Sequence, residues 1–152
     1  MKKWLAAIAA FSITAVSLGA AACAPSTDCG YDCGYRLWTD WDISDYSYDI
    51  QIMGFLPGGG STVRIEVRGG AAVSHTQGDT TTGELPDSVV TLYDTIDKLF
   101  ARIRDAYVNK AASISAVYDP GYGYPLHASV DPIKEAIDEE WAFTVTGFEP
   151  AG

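Results

Sequence analysis

The chain is poor in positive charge. Ten Lys and Arg stand against twenty Asp and Glu in 152 residues, a formal net charge of −10. A surface of that sign repels nucleic-acid phosphates and anionic lipid head groups, which excludes both as partners held by charge. Catalytic motifs are missing as well: there is no Gly-x-Ser-x-Gly, no His-Glu-x-x-His and no calcium-loop spacing. Gly58-Gly59-Gly60 precedes a strand-like stretch and has no lysine beside it, so it does not read as a phosphate loop. The expectation is a non-enzymatic chain without a cofactor or metal. Its length suits one domain with a real core.

What is present begins with an export signal. Lys2 and Lys3 give a positive end, Trp4 to Leu18 an apolar run, and Gly19 to Ala22 a set of small residues. The run is at the short limit for a membrane span and ends in small residues, so residues 1–22 read as a cleaved signal peptide. Leu18-Gly19-Ala20-Ala21-Ala22-Cys23 resembles a bacterial lipoprotein signal, where the thiol after the cut receives a diacylglyceryl group. Cys23 is therefore the expected lipidation site. Ala20 stands where leucine is usual, and cleavage after Ala20-x-Ala22 would instead release a secreted protein. Removing residues 1–22 takes away two lysines and no acid, moving the net charge from −10 to −12. Acyl chains would then have to hold the acidic domain at a membrane, since no basic amphipathic patch exists.

The chain has three cysteines. With Cys23 acylated, Cys29 and Cys33 form an even pair in an export-permissive setting, and a small disulfide is the expected state. A redox or metal site is the other reading, although the spacing is not Cys-x-x-Cys. Residues 23–37, rich in Gly, Pro, Ser and Asp, read as the lipidated Cys and a flexible tether, with a single domain over 38–150.

Alternation of apolar and polar residues predicts strands at Tyr46–Met53, Thr62–Arg68, Ala71–Gln77, Ser113–Tyr118, Leu126–Asp131 and Trp141–Phe148. Gly69-Gly70 predicts a tight hairpin turn. Ile96, Leu99, Phe100, Ile103 and Tyr107 recur at helical spacing, with Thr95 as N-cap and Asp97 in the first turn. An extra turn through Leu92 and Tyr93, beginning at Thr91 with Asp94 completing a capping-box pattern, would precede it. The other helical face, with Lys98, Arg102, Asp105 and Asn109, reads as solvated. Pro132 to Glu140 reads as a short helix or an acidic loop. The fold class is α+β: a mostly antiparallel sheet in β-β-β-α-β-β-β order, with one amphipathic helix on one face.

Two histidines, His75 and His127, lie on different strands and read as ordinary surface or half-buried residues. The richest cluster is aromatic and acidic: Tyr118, Asp119, Tyr122 and Tyr124, with Asp131 and Asp138-Glu139-Glu140 following. Three readings fit these residue types. Rigid tyrosines could form a recognition surface, carboxylates could hold calcium, or Asp119 could cap its own turn while the rings close the core.

Val117-Tyr118-Asp119-Pro120-Gly121-Tyr122-Gly123-Tyr124-Pro125 and Ser129-Val130-Asp131 resemble a bacterial, often lipid-anchored family, domain of unknown function 6174. Tyr46-Ser47-Tyr48, Val63 to Gly70, Asp138-Glu139-Glu140-Trp141, Phe143-Thr144-Val145 and Phe148 support the resemblance, which runs from about 41 to 148. It implies a small α+β domain on a short tether outside the cytoplasmic membrane, and no reaction. Members often carry cysteines at the end of the first strand, where this chain has Met53-Gly54-Phe55. The expected function is an exported, lipid-anchored binding domain for an envelope protein or cell-wall component. A calcium or small-ligand domain with an enzyme-like pocket is the alternative.

Overall fold

The computed structural model describes residues 30–78, 83–135 and 138–151. The elements are α1 (Tyr31–Trp41), β1 (Tyr46–Gly54), β2 (Thr62–Arg68), β3 (Ala71–Gln77), α2 (Asp87–Val90), α3 (Ile96–Val108), β4 (Ser113–Tyr118), β5 (Pro125–Asp131) and β6 (Trp141–Pro150). The six strands form one sheet in the order β3-β2-β1-β6-β5-β4, antiparallel throughout. Pairing of β1 with β6 brings the two halves of the chain together at the centre, with Ile50 opposite Val145 and Ile52 opposite Phe143.

The α+β class and the antiparallel sheet agree with the patterning. The single helix and the β-β-β-α-β-β-β order do not, because α1 and α2 add two helices. Helix α1 overturns the tether reading for residues 31–37. Its Gly, Asp and Cys are weak helix formers and suggested a linker, yet Tyr31, Gly34, Tyr35 and Trp38 fall at i, i+3, i+4 and i+7. The glycine permits contact rather than flexibility. A Cβ at Gly34 would lie 2.7 Å from the Tyr118 ring.

The core lies between the sheet and its helices. Tyr46, Tyr48, Ile50 and Ile52 of β1 are buried with Val63, Ile65 and Val67 of β2, and α3 adds Ile96, Leu99, Phe100 and Ile103. Tyr107, placed by its spacing on the same stripe, is instead half exposed, and Ala106 is buried in its place. The two β1 tyrosines also satisfy polar groups that burial would otherwise strand. The Tyr48 hydroxyl donates to the Tyr93 carbonyl over 2.6 Å, and the Tyr46 hydroxyl accepts from the Ile96 N–H over 3.0 Å.

Thr95 caps α3 as its position suggests, its hydroxyl accepting from the Lys98 N–H. Thr91 does not start the helix. Its N–H bonds back to Asp87, and Asp94 pairs with Lys98 at 2.6 Å. Thr95→Ala should lower stability by about 1 kcal/mol, read as a shift of the denaturation midpoint at constant slope. Among the described residues of 132–140 there is no helix.

Candidate functional site

Of the three readings open for the tyrosine segment, the structure agrees with the capped turn whose rings close the core. Asp119 organises the β4–β5 turn: its Oδ1 accepts from the N–H groups of Gly121 at 2.9 Å and Tyr122 at 2.6 Å. Its backbone closes the turn by donating to the Tyr124 carbonyl and accepting from the Gly123 N–H. The turn is then seated on α1. The Trp41 indole N–H donates to the Gly121 carbonyl over 2.8 Å, and the Trp41 ring meets that of Tyr122 at 5.2 Å. Tyr124 stacks on Phe148 at 4.4 Å and is buried, as is Tyr118, which stacks on Phe100. Tyr122 is half-buried between Trp41 and Phe148.

This loop is therefore a clasp between β4–β5 and α1, and its rings complete the core. Asp131 stands at the opposite end of β5 from Tyr124, with its Oδ1 accepting from the Ile133 N–H. The five residues do not converge. Among the described residues, no group of three or more His, Cys, Asp and Glu is placed to hold a metal ion.

Burial raises several tyrosine hydroxyls above their ordinary value of 10.0. Desolvation comes first for Tyr46, Tyr48, Tyr93, Tyr118 and Tyr124, and Tyr124 reaches about 12. An unfolded chain would release these protons near 10, before the folded one does. Stability is thus fully present below 10 and should fall as the pH climbs from 10 towards 12. Tyrosinate absorbance followed with circular dichroism should show exposed rings titrating first and the buried set ionising together with loss of structure.

The histidines have separate surroundings. His75 Nε2 lies 3.1 Å from the exposed Asp87, and His127 Nδ1 lies 3.2 Å from Thr144 Oγ1 on the uncovered face of the sheet. That face is otherwise tied by Arg64, which joins Asp49, Ser47, Glu149 and the Gly147 carbonyl across β2, β1 and β6. Cys33 lies in α1, not in a linker, and is disulfide-bonded. Cys23 and Cys29 lie outside the described residues, so the lipidation and the Cys29–Cys33 pairing stand as expectations.

A concave site occurs elsewhere. A cleft of about 400 Å³ opens between α3 and the far ends of β5 and β6. Helix α3 contributes Arg102, Asp105, Ala106 and Asn109; β5 and the residues after it add Val130, Pro132 and Ile133; Trp141 opens β6. The volume lies in the range of small-molecule sites, which are mostly apolar with a few polar groups.

Arg102 is the residue that the sequence misplaced. Its guanidinium is not on a solvated face. It lies 4.3 Å from the Tyr93 ring centre and 4.7 Å from that of Trp141. Its Nε is buried without a hydrogen-bond partner, and among the described residues no carboxylate comes within ion-pair distance. Arg64, Lys98 and Arg104 have acid partners, whereas Arg102 has the two rings instead. The local signal was its place beside Leu99 and Ile103, on the flank of the apolar stripe. Trp141, remote in sequence, supplied nothing that periodicity could detect.

A six-stranded antiparallel sheet with helices packed against it defines a small α+β domain. The chain belongs to the family of unknown function DUF6174, whose model matches residues 31–150. That match begins at the first residue of α1, so the helix is part of the domain. No curated protein and no solved structure matches the chain.

Proposed function

We propose that this protein is an exported, lipid-anchored, non-catalytic binding domain whose ligand site is the Arg102 cleft, where it takes a small organic anion. The observation that carries the binding assignment is the Arg102 cation, held between two aromatic rings with no acid paired to it. A cation without an acid partner gains a charge-assisted pair when a ligand brings a carboxylate. The cleft's other polar groups, the Asp105 carboxylate and the Asn109 amide, orient a ligand.

The address rests on residues 1–23: two lysines, an apolar run, small residues and then Cys23. Because α1 begins at Tyr31, the segment from Cys23 could reach at most roughly 28 Å even if fully extended. A lipid on Cys23 would hold the acidic domain close to the membrane. Mass spectrometry of the protein from its host membrane should find Cys23 as an acylated first residue; an unmodified N-terminus would remove the anchor.

For binding, a thermal-shift panel of small carboxylates, amino acids included, should contain at least one that raises the melting temperature, with the rise lost in Arg102→Gln. A panel without any rise, or one that survives the substitution, contradicts the assignment.

A further inference from the structure

We infer that the cleft takes a small zwitterion, a carboxylate and an ammonium close together on one molecule, of which an α-amino acid with an apolar side chain is the simplest case. This rests on the reading that the cleft binds an organic anion. The rings of Tyr93 and Trp141 both pack on Arg102, so a partner must approach the guanidinium along its N–H edge. The planar fork of donors there matches the two oxygens of a carboxylate.

The second group is Asp105. It lines the same cleft three residues further along α3, a spacing that sets side chains about 5–6 Å apart at their base. Its only cation contact among the described residues is an exposed one, to Arg104 at 3.4 Å. A bare anion entering beside Asp105, in a protein of net charge −10, meets repulsion at the rim. An ammonium on the ligand turns that repulsion into a contact, so one molecule answers both charges. The remaining wall is apolar, formed by Val130, Ile133 and the Trp141 ring, and suits an aliphatic side chain. The cleft volume of about 400 Å³ suits a single amino acid.

Calorimetric titration of the purified protein with L-leucine, N-acetyl-L-leucine and L-leucinamide separates the two charges. Leucine should bind with one site, and removing either charge should weaken binding by roughly ten-fold or more, as expected for a charged hydrogen bond. Asp105→Asn should erase the preference for leucine over N-acetyl-leucine. Arg102→Lys, which keeps the charge but not the fork, should weaken leucine binding. Should Arg102→Lys perturb folding, Ile133→Trp provides a second route, since Ile133 is 54% exposed and a larger ring there fills the cleft from outside. That variant should lose leucine binding while its circular dichroism stays unchanged. N-acetyl-leucine binding as tightly as leucine would overturn the zwitterion and leave the anion site standing. No heat from any of the three would overturn both.

Discussion

Gly123→Ala should cost the domain about 3 kcal/mol and lower its melting temperature by roughly 10 °C. Two costs act at once. Gly123 has φ +84°, in the left-handed region where a side chain adds about 1–2 kcal/mol. The new methyl would also meet α1, lying 2.8 Å from Leu37 Cβ, 2.9 Å from the Trp38 nitrogen and closer still to the Gly34 carbonyl. Backbone atoms of a helix cannot swing aside, so the clasp must lift. Gly121→Ala is the control. Its Cβ would approach only Asp119 Oδ1, at 3.3 Å, and its φ is not positive, so the effect should be much smaller. Equal stability of Gly123→Ala and the parent protein, in chemical denaturation, would show that the loop is not seated on α1.

Trp38→Ala should be at least as damaging, by roughly 3–5 kcal/mol. The indole is 3% exposed and edge-on to Tyr46 at 5.3 Å and to Phe148 at 5.9 Å. Its N–H points to Asp97 Oδ1 at 3.4 Å, on the first turn of α3. The side chain thus joins α1 to the central strands and to the start of α3. A residue in a flexible segment would change stability by less than roughly 0.5 kcal/mol on truncation, so a loss of this size marks Trp38 as part of the core. The double variant with Gly123→Ala should cost less than the sum of the single changes, because both release the same contact.

The parts of the fold that the sequence disclosed are those governed by local period. Tyr46, Tyr48, Ile50 and Ile52 alternate with polar residues because β1 has one buried and one open face, and Thr95 announces α3 by its own chemistry. Helix α1 was hidden because its buried face includes Gly34, chosen for close approach to a ring from β4. A contact partner so distant in sequence leaves no local trace. The same ignorance of α1 left three readings of the tyrosine loop open, since only Trp41 and Leu37 reveal what covers it.

Of the sites proposed from residue type, Asp119 behaves as a turn-capping residue and the neighbouring rings as core. The cleft was not legible. Arg102 occupies a helical position that solvent usually claims, and its burial depends on Tyr93 before the helix and on Trp141 at the start of the last strand.

The claim that binding occurs at Arg102 and not at the tyrosine loop can be tested by following side-chain N–H signals of the folded protein while leucine is added. The Arg102 Nε–H and the Trp141 indole N–H should shift together and saturate, while the Trp41 indole, bonded to Gly121 in the clasp, stays still. Movement of the Trp41 and Tyr122 signals with Arg102 unchanged would place recognition on the aromatic loop and contradict it.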